Sequence, residues 1–341
     1  MMQAAMFYFT VQGGQTARRI VTHLAGEYAC TLYAPEKYAA CDTLPIEGGL
    51  TPFIGALFEK MDALIYVGAC GIAVRAIAPY VRSKTTDPAV VSVDELGKFS
   101  VPLLSGHIGG GNRLAQRIAA GIGAIPVITT ATDVNGRFSV DTWASRHGFV
   151  IGGMDGAKHV SAAILTKDVP ISADKPIRGT LPPGLYRGES GPIGISVSIH
   201  TGAPFEETLP LIPRVLTLGV GCRRGASCEA IEEAVTAVFD ENKLDLRAVK
   251  EVVSIDLKAD EPGLKAFCLK HSLPARFLTA QALAAVPGAF TPSPFVQSVT
   301  GVDNVCERSA ASAGGALIVK KAAFHGVTVA VAEAEWEVSF G

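Results

Sequence analysis

What most constrains this chain is one pattern met several times: a short apolar run, a glycine-rich turn, then a helix with a single apolar face. The fullest case is VPLLSGHIGGGNRLAQRIAAGIGAIPVITTATD, Val101 to Asp133. Val101 to Leu104 reads as a strand. Leu114, Ile118 and Ile122 fall at helical spacing. Ile125 to Ile128 reads as the next strand, with Thr129 to Asp133 after it. Between strand and helix lies SGHIGGGN, Ser105 to Asn112, with His107 in it. So many glycines at a helix entry can leave backbone N–H groups bare, which suits an anion. A tight packing turn is the plainer explanation.

The same alternation runs from the start. Ala4 to Thr10 and Cys30 to Tyr33 read as strands, and Ala63 to Val67 as a buried one followed by GACGIAVRAIAPY. Ala89 to Val93 is another, closed by the turn Asp94-Glu95-Leu96-Gly97. Alternating strands and helices predict a mainly parallel sheet covered on both faces. Ligands then bind at the carboxyl ends of the strands, where the glycine turns open. Residues 139–213 differ, with prolines scattered through them, and read as a small middle domain or linker. From Arg214 the alternation restarts, with Val215 to Leu218, Val252 to Ile255 and closing strands at Ala316 to Val319 and Val327 to Val331. The expectation is α/β: two doubly wound, mainly parallel-sheet domains, 1–138 and 214–341, joined by the middle segment.

Composition excludes some functions. Of 341 residues, 48% are hydrophobic and 18% charged, so the chain has material for real cores. A formal net charge of −2 lacks the basic excess of a general nucleic-acid binder. Seven cysteines without a CxxC pair argue against a disulfide framework or zinc ribbon and for a reducing compartment. The start MMQAAMFYFTVQ has no signal-peptide pattern, and no apolar run has membrane-spanning length. A cytoplasmic protein without nucleic-acid or membrane partners is expected; a homodimer stays open.

GVGCRRG, Gly219 to Gly225, invites a dinucleotide reading, with Asp256 at the end of the next strand. Its spacing is GxGxxxG, and Arg224 stands where the third glycine belongs. An oxidoreductase is therefore one alternative. Cys222 at a helix start reads either as a nucleophile or as a small buried residue. No His, Cys and carboxylate set has metal-site spacing, so no protein metal is expected.

GVGCRRGAS, SIDLKADEPGL, TPSPFV and TGVDNVCERSA resemble the C-terminal domain of the CbiG family of cobalamin biosynthesis. The block from VGACGIAVRAIAPY to VITTATD is similar to that family's N-terminal domain. FSVDTWASRHGFVI and HVSAAILTKDVPI resemble its middle segment. The likeness covers nearly the whole chain. It implies a hydrolase that opens the ring A δ-lactone of cobalt-precorrin-5A and releases acetaldehyde to give cobalt-precorrin-5B. The cobalt arrives inside the corrinoid substrate, so no cofactor is implied. A corrinoid-binding accessory protein without turnover is the second alternative.

A flat macrocycle rimmed with carboxylates needs backbone amides and cations. Given that substrate, the expected binding residues are Gly71, Arg75, Lys84, Ser105, Gly106, Gly109, Gly110, Asn112, Thr130, Gly221, Cys222, Arg223, Arg224, Gly225 and Lys258. Arg82 and Arg113 are further cations; Lys84, Arg82 and Lys258 are by default solvated surface charges. Lactone opening needs an activated water. His107 is the first expected base, since imidazole titrates near neutral pH, and orientation of its turn is its other reading. Glu307 is second, although Asn304-x-x-Glu307 also reads as a capping box.

Overall fold

A computed structural model describes residues 1–340. Contacts divide the chain into two units, Met1–Ser145 and Arg146–Gly341.

The first unit holds seven strands: β1 (Met2–Tyr8), β2 (Tyr28–Ala34), β3 (Thr43–Pro45), β4 (Ala63–Val67), β5 (Ala89–Val93), β6 (Phe99–Leu104) and β7 (Ile125–Pro126). Its helices are α1 (Val11–Leu24), α2 (Leu50–Phe58), α3 (Cys70–Ile77), α4 (Gly111–Ile122) and α5 (Ala131–Val134), with α6 (Val140–His147) starting at its end. The sheet order is β3-β2-β1-β4-β5-β6-β7. β4 is buried at every position, as expected of a central strand covered on both faces. Ile20, Leu24, Leu114 and Ile118 cover one face; Ile54, Phe58, Ala73 and Ile77 cover the other.

Strands β1 to β5 run parallel, but β6 pairs antiparallel with β5, with Ser92 opposite Val101. The cause is the turn between them. Gly97 takes a positive φ of 70° and donates to Asp94 O, while Asp94 Oδ2 accepts from Lys98 N and Phe99 N at 2.8 and 2.6 Å. A turn this tight can only reverse the chain, because a parallel return needs a long crossover. The carboxyl end of β6 therefore opens at the sheet edge where β4 and β5 begin. The glycine turns at Gly68 to Gly71 and Gly106 to Gly111 lie on opposite edges, not at one mouth.

The second unit opens with β8 (Phe149–Ile151), α7 (Met154–Thr166), β9 (Val169–Ala173), β10 (Ile177–Arg178), β11 (Leu185–Arg187), β12 (Ile193–Val197) and β13 (Glu207–Pro213). Apart from β10, these strands build a sheet ordered β11-β9-β12-β13-β8, parallel except at β8. There follow β14 (Leu216–Cys222), α8 (Cys228–Glu241), β15 (Val249–Ile255), α9 (Pro262–Lys270), β16 (Ala275–Leu278), α10 (Ala280–Ala284), α11 (Pro294–Thr300), α12 (Cys306–Ala311), β17 (Ala316–Phe324), β18 (Val327–Glu333) and β19 (Val338–Ser339). The second sheet is ordered β16-β15-β14-β18-β17; β14 to β16 are parallel, while β17 and β18 close it antiparallel. Ile199 and Ile212 share a core with Leu218, Ile231 and Phe267, and β10 pairs with β19. The fold is α/β with mainly parallel sheets. No helix among the described residues is long and apolar enough to cross a membrane.

Candidate functional site

The turn after β6 is built around its own backbone. Gly110 N donates to His107 O, Gly111 N to Ser105 O and Asn112 N to Gly106 O, at 2.9, 3.0 and 2.9 Å. These amides satisfy loop carbonyls that burial would otherwise leave unpaired. They are not the bare, outward-pointing donors that the glycine content suggests. A Cβ on Gly109 would stand 2.5 Å from Ser105 Cβ, and one on Gly111 2.7 Å from Leu104 O, so the turn closes only with glycine there. Ser105 itself holds φ at 54°, with its hydroxyl donating to Asp87 O at 2.9 Å.

What the turn presents is a side chain. The His107 ring lies between two carboxylates: Nε2 is 3.0 Å from Asp133 Oδ2 on α5, and Nδ1 is 3.1 Å from Asp141 Oδ1 on α6. Asn112 donates its amide to Thr130 Oγ1 at 2.8 Å and to Asp133 Oδ2 at 2.9 Å. Asp141 also accepts from Ser139 Oγ and Thr142 N. The hydrogen bond to Asp141 pushes the His107 pKa up; burial opposes it, and the charge of Asp141 and the contact with Asp133 add to the rise. Burial alone would raise the Asp141 pKa, but the hydrogen bond and charge of His107 outweigh it and hold Asp141 below the usual carboxylate range. With acceptors on both sides, the ring in its protonated form donates through both nitrogens and has no lone pair for a water proton. The raised pKa and the two carboxylates favour that form, which suits a proton donor better than a resting base.

With His107 and Asp141, the residues Lys84, Ser105, Gly106, Ile108 and Thr130 line a recess about 180 Å³ in volume. That is smaller than the roughly 300–1,000 Å³ of a pocket that engulfs a ligand. It has room for one arm of a large molecule. Lys84 has no carboxylate partner among the described residues, whereas Arg82 pairs with Glu59 and Arg113 with Glu27.

The other expected residues fall elsewhere. Gly71 lies in the first turn of α3, at the carboxyl edge of β4, with Arg75 four residues on and exposed. Gly221, Cys222, Arg223, Arg224, Gly225 and Lys258 do gather, at the carboxyl ends of β14 and β15. That turn already holds an anion of its own. Glu261 Oε1 accepts from Gly225 N at 2.7 Å, and its Oε2 lies 3.1 Å from Lys258 Nζ. Burial opposes the Glu261 charge, but Lys258, the Gly225 amide and Arg224 outweigh it and lower its pKa. Arg223 N is taken by Gly326 O. Burial pushes the Cys222 thiol up, against a smaller lowering by Lys258, so it is no activated nucleophile.

The dinucleotide reading loses its glycine. A Cβ on Gly219 would stand 1.9 Å from Cys306 O, because α12 packs directly on β14 there. The residue serves helix–strand packing, and a pyrophosphate has no access to it.

Glu307 is 1% exposed. Its carboxylate accepts from Thr291 N, Thr291 Oγ1, Asn304 Nδ2 and Lys321 N, all within 2.6 to 2.9 Å. Asn304 Oδ1 in turn accepts from Glu307 N at 2.8 Å. The pair ties a loop and β17 to the start of α12, and no water can reach the carboxylate.

Sequence reasoning passed over Asp133 and Asp141. The signal was present in the Asp94 to Gly97 turn: it reverses β6, and the reversal brings the segments after β7 to the His107 edge.

Two family models match the chain: the cobalamin synthesis G N-terminal domain over residues 52–133 and the cobalamin synthesis G C-terminus over residues 216–332. The chain belongs to the CbiG family. His107 and Asp133 fall inside the N-terminal match, and Asp141 lies just beyond it. Cobalt-precorrin-5A hydrolase of Salmonella typhimurium is 34% identical over 316 residues, 88% of this chain and 89% of that protein. The enzyme of the same name from Priestia megaterium is 32% identical over 84% of this chain and 82% of its own length. A solved cobalamin biosynthesis protein G homolog from Sulfolobus solfataricus, 21% identical, aligns over 98% of this chain and 97% of that one with a TM-score of 0.42.

Proposed function

We propose that this chain is a cobalt-precorrin-5A hydrolase of cobalamin biosynthesis and that it works at the His107 recess. The activity rests on one observation: the 34% identity to an enzyme of that name over 88% of the chain. The substrate is a corrinoid carrying its own cobalt. Water opens the ring A δ-lactone, and the two-carbon bridge leaves as acetaldehyde to give cobalt-precorrin-5B.

The recess suits the lactone arm rather than the macrocycle, which would lie across its mouth. His107, as an imidazolium, is the proton source for the oxygen that leaves as the lactone opens. Lys84, free of an internal partner, receives a peripheral carboxylate. The seven cysteines are all free thiols, which suits a reducing compartment, and we assign the enzyme to the cytoplasm.

The test is turnover. The purified protein incubated with cobalt-precorrin-5A is expected to release acetaldehyde in step with loss of the lactone. Tight corrinoid binding without acetaldehyde would replace this reading with that of an accessory protein.

A further inference from the structure

We propose that Asp133 is a catalytic residue of this reaction: it takes the proton of the attacking water and, through His107, supplies one to the oxygen leaving the lactone carbonyl. Asp141 is the positioning residue for the ring. The proposal rests on the hydrolase reading above.

The two carboxylates that flank His107 are not equivalent. Asp141 is 10% exposed and also accepts from Ser139 and Thr142, so it is a buried anchor. Asp133 is 33% exposed. Its hydrogen bonds from His107 and Asn112 both go to Oδ2. One oxygen is thus held in place, and the carboxylate as a whole is more exposed than that of Asp141. Asn112 is itself held by Thr130 Oγ1, so the Asp133 side chain is fixed before any substrate arrives. This is the division of labour a proton relay needs: a buried acceptor that orients the ring, and an exposed acceptor on the far nitrogen.

The steps balance with water alone. Water adds to the lactone carbonyl carbon as Asp133 Oδ1 takes one of its protons. Protonated on Oδ1, Asp133 loosens its hold on the Nε2–H of His107; the tetrahedral adduct collapses, the ring C–O bond breaks, and the departing oxygen takes that Nε2 proton. His107, now neutral, recovers a proton from Asp133. In the second stage Asp133 takes the proton of the freed alcohol. The C–O bond becomes the carbonyl of acetaldehyde, and the bond to the macrocycle breaks. The electron pair left on the macrocycle carbon takes a proton back from the same pair. No oxidant or reductant enters.

The experiment follows acetaldehyde release from cobalt-precorrin-5A by the full chain. Asp133→Asn is expected to lower kcat at least about a hundredfold with KM nearly unchanged, as loss of a proton-transfer group does. Formate added to Asp133→Ala is expected to restore part of the rate. The charged groups facing the ring are Asp133, Asp141 and, across the recess, Lys84. Asp141→Asn removes the larger raising influence on His107 and is expected to move the alkaline loss of kcat to lower pH, with Asp141→Glu moving it back. If Asp133→Asn keeps kcat within about fivefold of wild type, or formate does nothing, the relay is wrong. If the wild-type protein forms no acetaldehyde, the hydrolase reading fails first.

Discussion

The glycine turns after β6 and after β14 look alike in sequence and differ in what they hold. After β6 the glycines let the turn close on itself, whereas after β14 Gly225 supplies a positive φ of 76° with nothing within 4 Å; both turns satisfy several amides internally. After β14, Glu261 supplies the anion to Gly225 N and Lys258, and the charges close on themselves. After β6, the charges are left partly open: His107 between two acids, with Asp133 one-third exposed and Lys84 without a carboxylate partner among the described residues. Glycine content marks where a chain turns tightly. Which turn does chemistry is decided by the side chains that other segments bring to it.

The sharpest way to break this contrast is by activity. His107→Gln is expected to cut kcat about a hundred- to a thousandfold, while Cys222→Ala changes it little. Equal losses in the two variants would place chemistry at both turns. Stability offers a second contrast. Gly219→Ala forces a methyl into the backbone of α12 and is expected to cost about 3 kcal/mol or more in urea unfolding. Gly71→Ala meets nothing within 4 Å and should stay within about 1 kcal/mol of wild type.

A smaller effect is expected at Glu261. Glu261→Gln weakens the hold on Gly225 N and Lys258 and should cost about 1–2 kcal/mol, with kcat nearly unchanged. A large fall in kcat would mean that this turn takes part in turnover.

The smallest effect is in pH dependence. His107 has a raised pKa in the fold, so its contribution to stability is present below its unfolded value and fades as pH rises through the folded one. Asp141, with a lowered pKa, contributes above its unfolded value and loses that contribution as pH falls through its folded one. The thermal midpoint of the wild type should therefore fall on the alkaline side of the folded His107 value, and that fall should vanish in His107→Gln. Glu261 carries only the acid-side loss.

Much of the fold could be read from the residues. Ala63–Val67 stands out as an unbroken apolar run because it is buried on both faces. The middle sheet is harder to see, since Pro170, Pro210 and Pro213 lie inside β9 and β13 and break the strand signature. Helix α11 hides in a stretch that reads as loop, although Ser293 caps it by accepting from Val296 N, and Pro294 opens it. At the site, the glycine turn and His107 were visible. The role of His107 was not, because it depends on Asp133 and Asp141, whose approach is set by the reversed direction of β6. Glu307 allows catalysis but reads first as a capping residue; its burial and its four donors are what the structure adds.

The central claim is that His107 carries a proton on each ring nitrogen while held between two acids. Nitrogen NMR of the histidine rings around pH 7, with the His107 signals identified by their loss in His107→Gln, tests it without substrate. The account predicts that both His107 nitrogens are protonated at that pH and stay so well above the pH where a free imidazole loses its proton. A neutral ring with one bare nitrogen would contradict it and return His107 to the role of a base.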